Sequence, residues 1–251
     1  MPESFPKSDH RIWEIDVLRA LAVLGMIVFH WFYLLDYYQI QSIDLFNGGW
    51  EIFGDAIRYT FFAVVGAGLV LSYQSNRLKE LSFWAFGIKK IKQGLTLLLL
   101  GGVITIFTLM VVPDQVIRFG VLSFIGAGMI LLWPLVARWY LLLAFTLLVI
   151  SIEFLFSEIW SHESLIGYIL GFYPRYWPSL DYFPLIPWLA SISAGALVAS
   201  LIFKSGQRCY PWFNQPLIMQ PLVWVGQKAL IIYLMHIPVS AGLILFLGLK
   251  S

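Results

Sequence analysis

Long apolar runs along the chain predict a series of membrane-spanning helices. A spanning helix needs about 20 mostly apolar residues, and seven segments of the sequence meet this requirement. A shorter apolar stretch at 164–173 cannot span and predicts an interfacial or re-entrant piece. In the last span, Pro238 removes a helical hydrogen bond, which predicts a kink or a division there. The predicted spans are 17–38, 52–73, 93–112, 117–136, 139–157, 183–203 and 219–247.

The composition agrees with this pattern. The chain has 251 residues, of which 60% are apolar and only 12% are charged, whereas a soluble domain has about 25% charged residues. No single core buries that much apolar surface, so the excess must face lipid. The first apolar run is too long for a signal peptide and predicts a retained anchor. The sequence therefore predicts an all-α, polytopic helix bundle that forms one domain over residues 1–251.

The distribution of charge predicts the orientation of the chain. Eleven of the 16 Lys and Arg side chains lie on alternate connections, starting with the N-terminal tail. The positive-inside rule then places the N-terminus in the cytoplasm and the C-terminus outside, which requires an odd number of spans. We expect the cytoplasmic membrane, because the chain shows no targeting extension. A net charge of +2 without a basic tract argues against nucleic acid as a partner.

Three ionisable side chains of the first span form the strongest candidate site. Asp16, Arg19 and His30 share one helix face at about 100° per residue, with His30 about 16 Å deeper than Arg19. A charged group inside a bilayer costs at least about 2.5–3.5 kcal/mol, so each one needs a function or a partner. A cationic entrance that leads to a buried imidazole suits an anionic ligand. The alternatives are a surface ion pair and a histidine that only hydrogen-bonds a carbonyl.

Other polar groups lie in or beside later spans. Asp55 and Arg58, three residues apart near the outer end of the second span, form either an ion pair or part of a binding site. Arg118 opens the fourth span and is either a snorkelling anchor or a ligand-binding group. In the last span, His236 precedes Ile-Pro, where a kink would free backbone carbonyls, and a structural histidine is the alternative.

Several classes of function lack their motif in this sequence. No Gly-rich phosphate loop followed by Lys and Ser or Thr is present, so ATP-driven work is unsupported. No Gly-x-Ser-x-Gly nucleophile elbow occurs. The His-x-x-x-His and Glu-x-x-His spacings are absent, and Cys209 is the single cysteine. The sequence therefore predicts no zinc site, no di-iron site and no internal disulfide bond.

Five segments, in order, resemble the catalytic-domain family of heparan-alpha-glucosaminide N-acetyltransferase in its small prokaryotic form. In the first segment an Arg, ten residues and a His, which are Arg19 and His30 here, are also similar to the wider transmembrane acyltransferase group. Together the segments cover nearly the whole chain. They run from Arg11 to His30, from Phe61 to Ser72, from Arg118 to Gly126, from Tyr182 to Trp188 and from Trp224 to Pro238.

The resemblance implies an enzyme that uses acetyl-CoA to acetylate a sugar amine or hydroxyl on the far side of a membrane. Two departures from the family pattern bear on the active site. Lysosomal members have a His in the loop before the second span, whereas residues 44–50 have none. Small prokaryotic members often have a His where Ser123 stands. If those histidines are essential in the family, the chain must rely on His30 or be inactive.

We therefore expect a membrane-embedded acyltransferase in which acetyl-CoA is the acyl donor and no metal takes part. His30 would be the general base, or would carry the acyl group itself, and Asp16 would orient Arg19. The donor's phosphates would meet cationic side chains, which are Arg19, Lys89, Lys90 and Lys92. The expected partners are lipid, acyl-CoA and a sugar or glycan acceptor, with the oligomeric state left open. The residues expected to contact the acceptor are Asp55, Arg58, Arg118, Trp188, Tyr233 and His236.

Two other classes of function fit part of the pattern. The same buried polar groups would line the path of a small-molecule transporter or flippase. Transporter folds usually contain repeats with broken helices, and the sequence shows no repeat. A structural subunit of a membrane complex is the third interpretation, and it predicts that His30 can be replaced without consequence.

Overall fold

The computed structural model describes residues 12–156, 164–172, 179–204, 207–208 and 215–247, and α-helix dominates this part of the chain. One short antiparallel pair of strands, β1 (Phe203–Lys204) and β2 (Gln207–Arg208), is also present. The helices, in chain order, are α1 (Trp13–Tyr37), α2 (Gly48–Leu78), α3 (Phe83–Val111), α4 (Val121–Leu132), α5 (Trp139–Phe156), α6 (Leu165–Leu170), α7 (Leu185–Ile202), α8 (Gln220–Gln227) and α9 (Ala229–Phe246).

Helix length and composition confirm the predicted fold class. Among the described residues, α1, α2, α3, α7 and α9 are long and apolar enough to cross a membrane, and α4 and α5 are shorter apolar helices. Each of the seven predicted spans overlaps one of these helices. The stretch at 164–173 forms the six-residue helix α6, which begins where Ser164 Oγ accepts the N–H of Gly167 at 3.0 Å. The protein is therefore an all-α, polytopic membrane protein.

The structure corrects the expectation for the last span. Pro238 does not divide it, because α9 continues through this proline. The division falls at Lys228, between α8 and α9, where the backbone leaves the helical conformation. The fourth span also starts later than expected: α4 begins at Val121, so Arg118 lies in the segment before the helix. The side of the membrane on which the N-terminus lies stays a prediction.

The chain divides into two compact units, and the boundary falls within α2. The first unit takes in the described residues up to Val64 and those from 215 onward. In this unit α1 packs against α8 and α9. Gly226 of α8 lies close against α1, because a Cβ atom there would overlap the backbone carbonyl of Asp16. Gly25 makes room for the Ile57 side chain of α2 in the same way, because a Cβ there would lie 2.9 Å from it.

The second unit takes in the described residues from Val65 to 208. Its main helix contacts are α3 with α4 and α5 with α7. Glycines allow the first contact, since a Cβ on Gly94 would lie 2.6 Å from the carbonyl oxygen of Gly126. Buried hydroxyls join the second, where Thr146 Oγ1 and Ser193 Oγ lie 2.9 Å apart. The prediction of a single domain is not tested by this division and stays a prediction.

Candidate functional site

The predicted pair at the start of α1 is present. Arg19 donates to Asp16 across one helical turn, with 2.7 Å between Nη1 and Oδ1. The Asp16 side chain is 4% exposed, and the Arg19 side chain keeps 27% of its surface exposed. Asp16 is therefore covered by α8 and binds the guanidinium of Arg19, while part of the Arg19 side chain remains exposed. This arrangement fits the expected role of Asp16 in orienting Arg19.

His30 is held by its own helix in one defined tautomer. Its Nδ1 lies 2.9 Å from the carbonyl oxygen of Met26, one turn earlier in α1. A carbonyl oxygen only accepts hydrogen bonds, so Nδ1 must carry the proton of the neutral ring. The lone pair then lies on Nε2. The His30 side chain as a whole keeps part of its surface exposed.

His236 of α9 meets His30 directly. The two ring centroids are 4.9 Å apart and the rings are inclined at 73°. His236 Nδ1 lies 2.5 Å from the carbonyl oxygen of Tyr233, which fixes the same tautomer as in His30. The carbonyl that Pro238 deprives of its helical donor is that of Leu234, so the kink expected from the sequence is not what binds His236. His236 is 8% exposed, and its Nε2 has no hydrogen-bond partner among the described residues.

Aromatic rings surround the two histidines. His30 is in edge contact with Phe29 and Tyr33 of its own helix, with centroid distances of 5.9 and 6.5 Å. Tyr233 lies 5.6 Å from His236 and stacks on Phe61 of α2 at 6.5 Å. An aromatic face carries partial negative charge, which favours a nearby cation. The imidazole pair therefore lies among aromatic rings that favour a positive charge on it.

The lysines expected to bind the donor's phosphates do not form one group. Lys89 and Lys92 are exposed on α3, as a phosphate-binding role requires. Lys90 is buried, with 6% of its surface exposed, and its Nζ donates to Gln93 Oε1 at 3.0 Å. Its ammonium also lies 5.6 Å from the centre of the Phe86 ring. Lys90 thus has protein partners already, and the helical period buries it while Lys89 and Lys92 remain exposed.

The residues expected to contact the acceptor lie in separate places. Asp55 and Arg58 form an ion pair on α2 and are both partly exposed. Trp188 of α7 packs its ring edge against Phe183 at 5.1 Å. Arg118 lies in the loop before α4 and acts electrostatically on Tyr168. The structure therefore places Asp55 and Arg58 in one unit and Arg118 and Trp188 in the other.

A polar cluster that the sequence analysis missed supports the start of α4. The carboxylate of Asp181 accepts the N–H of Val121 at 2.9 Å, in place of a cap that Gly120 cannot provide. Ser179 donates to the carbonyl of Val116 at 3.0 Å, so residues 179–183 lie along the loop before α4. No local pattern announces such a cap, because Asp181 is distant from α4 in the sequence. The sequence shows only that Asp181 directly precedes the Tyr182–Trp188 segment.

Two tyrosines beside this cluster keep their phenolic protons at physiological pH. Tyr182 Oη donates to the carbonyl oxygen of Tyr168 at 2.6 Å. Burial raises the pKa of the Tyr182 phenol, and the neighbouring Tyr168 raises it further. Burial also raises the pKa of Tyr168. Both phenols therefore stay protonated in the range in which an enzyme would work, and neither supplies a phenolate base.

The chain was compared with known protein families, curated proteins and solved structures. The family model of heparan-alpha-glucosaminide N-acetyltransferase, catalytic, matches residues 11–238. The chain belongs to this family. No curated protein matches it, and no solved structure matches it. The heparan-alpha-glucosaminide N-acetyltransferase match includes every candidate residue described above, from Asp16 to His236.

Membership of the heparan-alpha-glucosaminide N-acetyltransferase family indicates a membrane acetyltransferase whose relatives depend on acetyl-CoA. One departure from the family pattern now has a structural setting. Ser123 is buried in α4, and a Cβ on Gly101 of α3 would overlap its hydroxyl oxygen. Two small residues therefore fill this helix contact.

Among the described residues, no group of three or more His, Cys, Asp or Glu side chains is placed to hold a metal ion. His10, His162 and Cys209 lie outside the described residues.

Proposed function

We propose that this protein transfers an acetyl group from acetyl-CoA to an amine or hydroxyl of a sugar or glycan, with His30 as the general base. The observation that supports this most is the tautomer of His30. Its Nδ1–H is committed to the Met26 carbonyl, so Nε2 offers a lone pair that the helix holds in place. Family membership supplies the type of reaction. Without a positioned base of this kind, an uncharged hydroxyl is a weak nucleophile.

In the proposed reaction, Nε2 of His30 takes the proton of the acceptor hydroxyl or neutral amine. The acceptor atom forms a bond to the acetyl carbon as the carbon–sulfur bond breaks. The electron pair of that bond goes to sulfur, and the thiolate takes up a proton to leave as CoA. The Nδ1–H bond to Met26 strengthens as the ring becomes positive, because a charged donor forms the stronger hydrogen bond.

The donor is proposed to enter beside Arg19 and to place its thioester deeper, toward His30. Support comes from the spacing of the two residues along α1, which is about 16 Å at 1.5 Å per residue, and from the partial exposure of Arg19. A guanidinium suits a phosphate because it donates two parallel hydrogen bonds. The expected phosphate contacts of Lys89 and Lys92 stay predictions, and no phosphate is assigned to Lys90, whose ammonium donates to Gln93.

The acceptor is proposed to use the half-exposed ion pair of α2. Asp55 and Arg58 offer an acceptor and donors to sugar hydroxyls, and both keep part of their surface exposed. The expected contacts of Trp188 and Arg118 with the acceptor stay predictions.

The test is transfer of labelled acetyl from acetyl-CoA to glucosamine by the purified protein in detergent. His30→Asn keeps a side-chain N–H for the Met26 carbonyl and removes the base, so the rate should fall about 10²–10⁴-fold while the melting temperature stays close to wild type. His30→Ala removes both. His162→Ala, which changes a histidine without an assigned role, is the control and should be active. Transfer by His30→Asn at a tenth of the wild-type rate or more would refute the role of His30.

A further inference from the structure

We propose that His30 and His236 work as one proton-sharing pair, in which the buried Nε2 of His236 takes a share of the proton that His30 removes from the acceptor. His236 is then a positioning residue that acts through His30. This inference rests on the proposed acetyl transfer and deepens it. It assigns His236 a place in the proton path instead of a contact with substrate.

The first step of the argument concerns the two tautomers. Each histidine gives its Nδ1 hydrogen to a carbonyl of its own helix, Met26 in α1 and Tyr233 in α9. Both rings therefore carry their lone pairs on Nε2. Local helix bonds impose this state on each ring independently of the other ring. The packing of α1 with α9 then brings two bases of the same kind to a centroid distance of 4.9 Å.

The second step concerns what the pair lacks. Two neutral rings with lone pairs on Nε2 have no hydrogen to share between these atoms, and no hydrogen bond joins them. The Nε2 of His236 is sealed from solvent and has no partner among the described residues. A buried acceptor without a donor is unfavourable. One added proton would give the Nε2 of His236 a donor, because a protonated His30 carries a hydrogen on its own Nε2.

The third step concerns the positive charge. An imidazolium that is partly buried away from water needs other stabilisation. Spreading the charge over two rings provides part of it, and the ring of Tyr233, 5.6 Å from His236, provides more through its negative face. The two backbone carbonyls that accept the Nδ1 hydrogens provide the rest. Each of these contacts is already present in the resting arrangement.

The proton balance closes without any further reactant. The acceptor's N–H or O–H bond breaks and its proton joins the pair at Nε2 of His30, while His236 accepts a hydrogen bond from it. The acceptor bonds to the acetyl carbon, and the carbon–sulfur bond breaks with its electrons on sulfur. The pair then returns the proton to the thiolate, which leaves as the thiol. The pair starts and ends the cycle neutral.

The kinetic test compares two replacements of His236 with glucosamine as acceptor. His236→Asn keeps an N–H for the Tyr233 carbonyl and lacks Nε2, whereas His236→Ala lacks both. Proton sharing predicts that both variants lose about 10²-fold in kcat, with KM for acetyl-CoA and for glucosamine nearly unchanged. A structural role predicts that Asn rescues the activity, and that result would overturn the pair. Contact with a substrate predicts a raised KM, which would overturn it as well.

Ser240→Ala is the matched control, because Ser240 is a buried polar residue one helical turn beyond His236 on α9. It should keep the wild-type kcat. The melting temperature of each variant shows whether it folds. A wild-type protein that transfers no acetyl would refute the proposed function itself, whereas an active wild type with an active His236→Asn would refute only the pair.

A second measurement needs no activity. Nitrogen NMR of protein labelled at histidine separates a protonated ring nitrogen from one with a lone pair, and single replacements of His30 and His236 assign the signals. The pair requires that both residues carry the proton on Nδ1 and the lone pair on Nε2. A proton on Nε2 of either residue in the neutral protein would overturn the inference, whatever the kinetics show.

Discussion

Replacing Gly226 by Ala tests whether close packing of α8 on α1 supports the candidate site. The added Cβ would overlap the carbonyl oxygen of Asp16 and lie 2.7 Å from its carbonyl carbon. Both of these are backbone atoms, so no side chain can rotate away to relieve the overlap. The helices must separate, and this moves α8 away from the residue that holds Arg19. We therefore expect a loss of stability and a weaker site.

The magnitude follows from two opposing effects. Overpacking a close contact costs about 1–3 kcal/mol, and a backbone clash belongs in the upper half of that range. Ala favours helix over Gly by up to about 1 kcal/mol, which offsets part of the loss. The net expectation is a destabilisation of about 1–2 kcal/mol. Gly242→Ala in α9 is the matched control, since nothing lies within 4 Å of its Cβ position.

The assay is thermal unfolding of the purified variants in one detergent. Gly242→Ala should melt at the wild-type temperature or above, because only the helix preference acts on it. Gly226→Ala should melt below it, and the gap of about 2 kcal/mol between the variants corresponds to about 4–8 °C. Transfer to glucosamine should fall for Gly226→Ala alone. Equal melting temperatures for the two variants would show that α8 does not pack on Asp16 as described.

Two further predictions concern the cofactor and the missed cap. Acetyl-CoA should raise the wild-type melting temperature, because a ligand that binds the folded state stabilises it. Arg19→Ala should reduce this shift, whereas replacement of the exposed Arg138 by Ala should not. Equal shifts in the two variants would show that Arg19 is not part of the donor site. Asp181→Ala should destabilise the protein by about 1–3 kcal/mol by leaving the Val121 N–H without its acceptor, whereas exposed Asp114→Ala should melt as wild type.

The helices were predictable because lipid imposes a simple requirement on the sequence. Every spanning segment must satisfy its backbone internally and present apolar side chains, so length and hydropathy locate it. The predicted span 17–38 corresponds to α1 at Trp13–Tyr37 on this basis. Interruptions inside a span are harder to predict. Pro238 was the obvious candidate, yet the break lies at Lys228, two residues after Gly226.

The site was predictable only where its geometry is local. Asp16 and Arg19 lie one turn apart, so helix geometry alone predicts their pairing. The burial of Lys90 between two exposed lysines depends on which face of α3 meets other helices, and composition does not show this. The contact of His30 with His236 depends on the packing of the first and last spans. The sequence analysis identified both histidines as candidates, but it could not show that they are in contact.

The contacts of α1 with α8 and α9 also bear on the number of spans. Gly226 meets Asp16 near the start of α1, and His236 meets His30 farther along it. Asp16 precedes His30 in α1, and Gly226 precedes His236 in the α8–α9 segment, so the two segments run in the same direction. A chain that crosses a membrane first and last in the same direction makes an odd number of crossings. The charge pattern of the loops requires an odd number as well. The two arguments share no premise, because one uses loop charges and the other uses buried contacts. The five long helices alone and all seven apolar helices both give an odd number, so α4 and α5 either both cross the membrane or both do not.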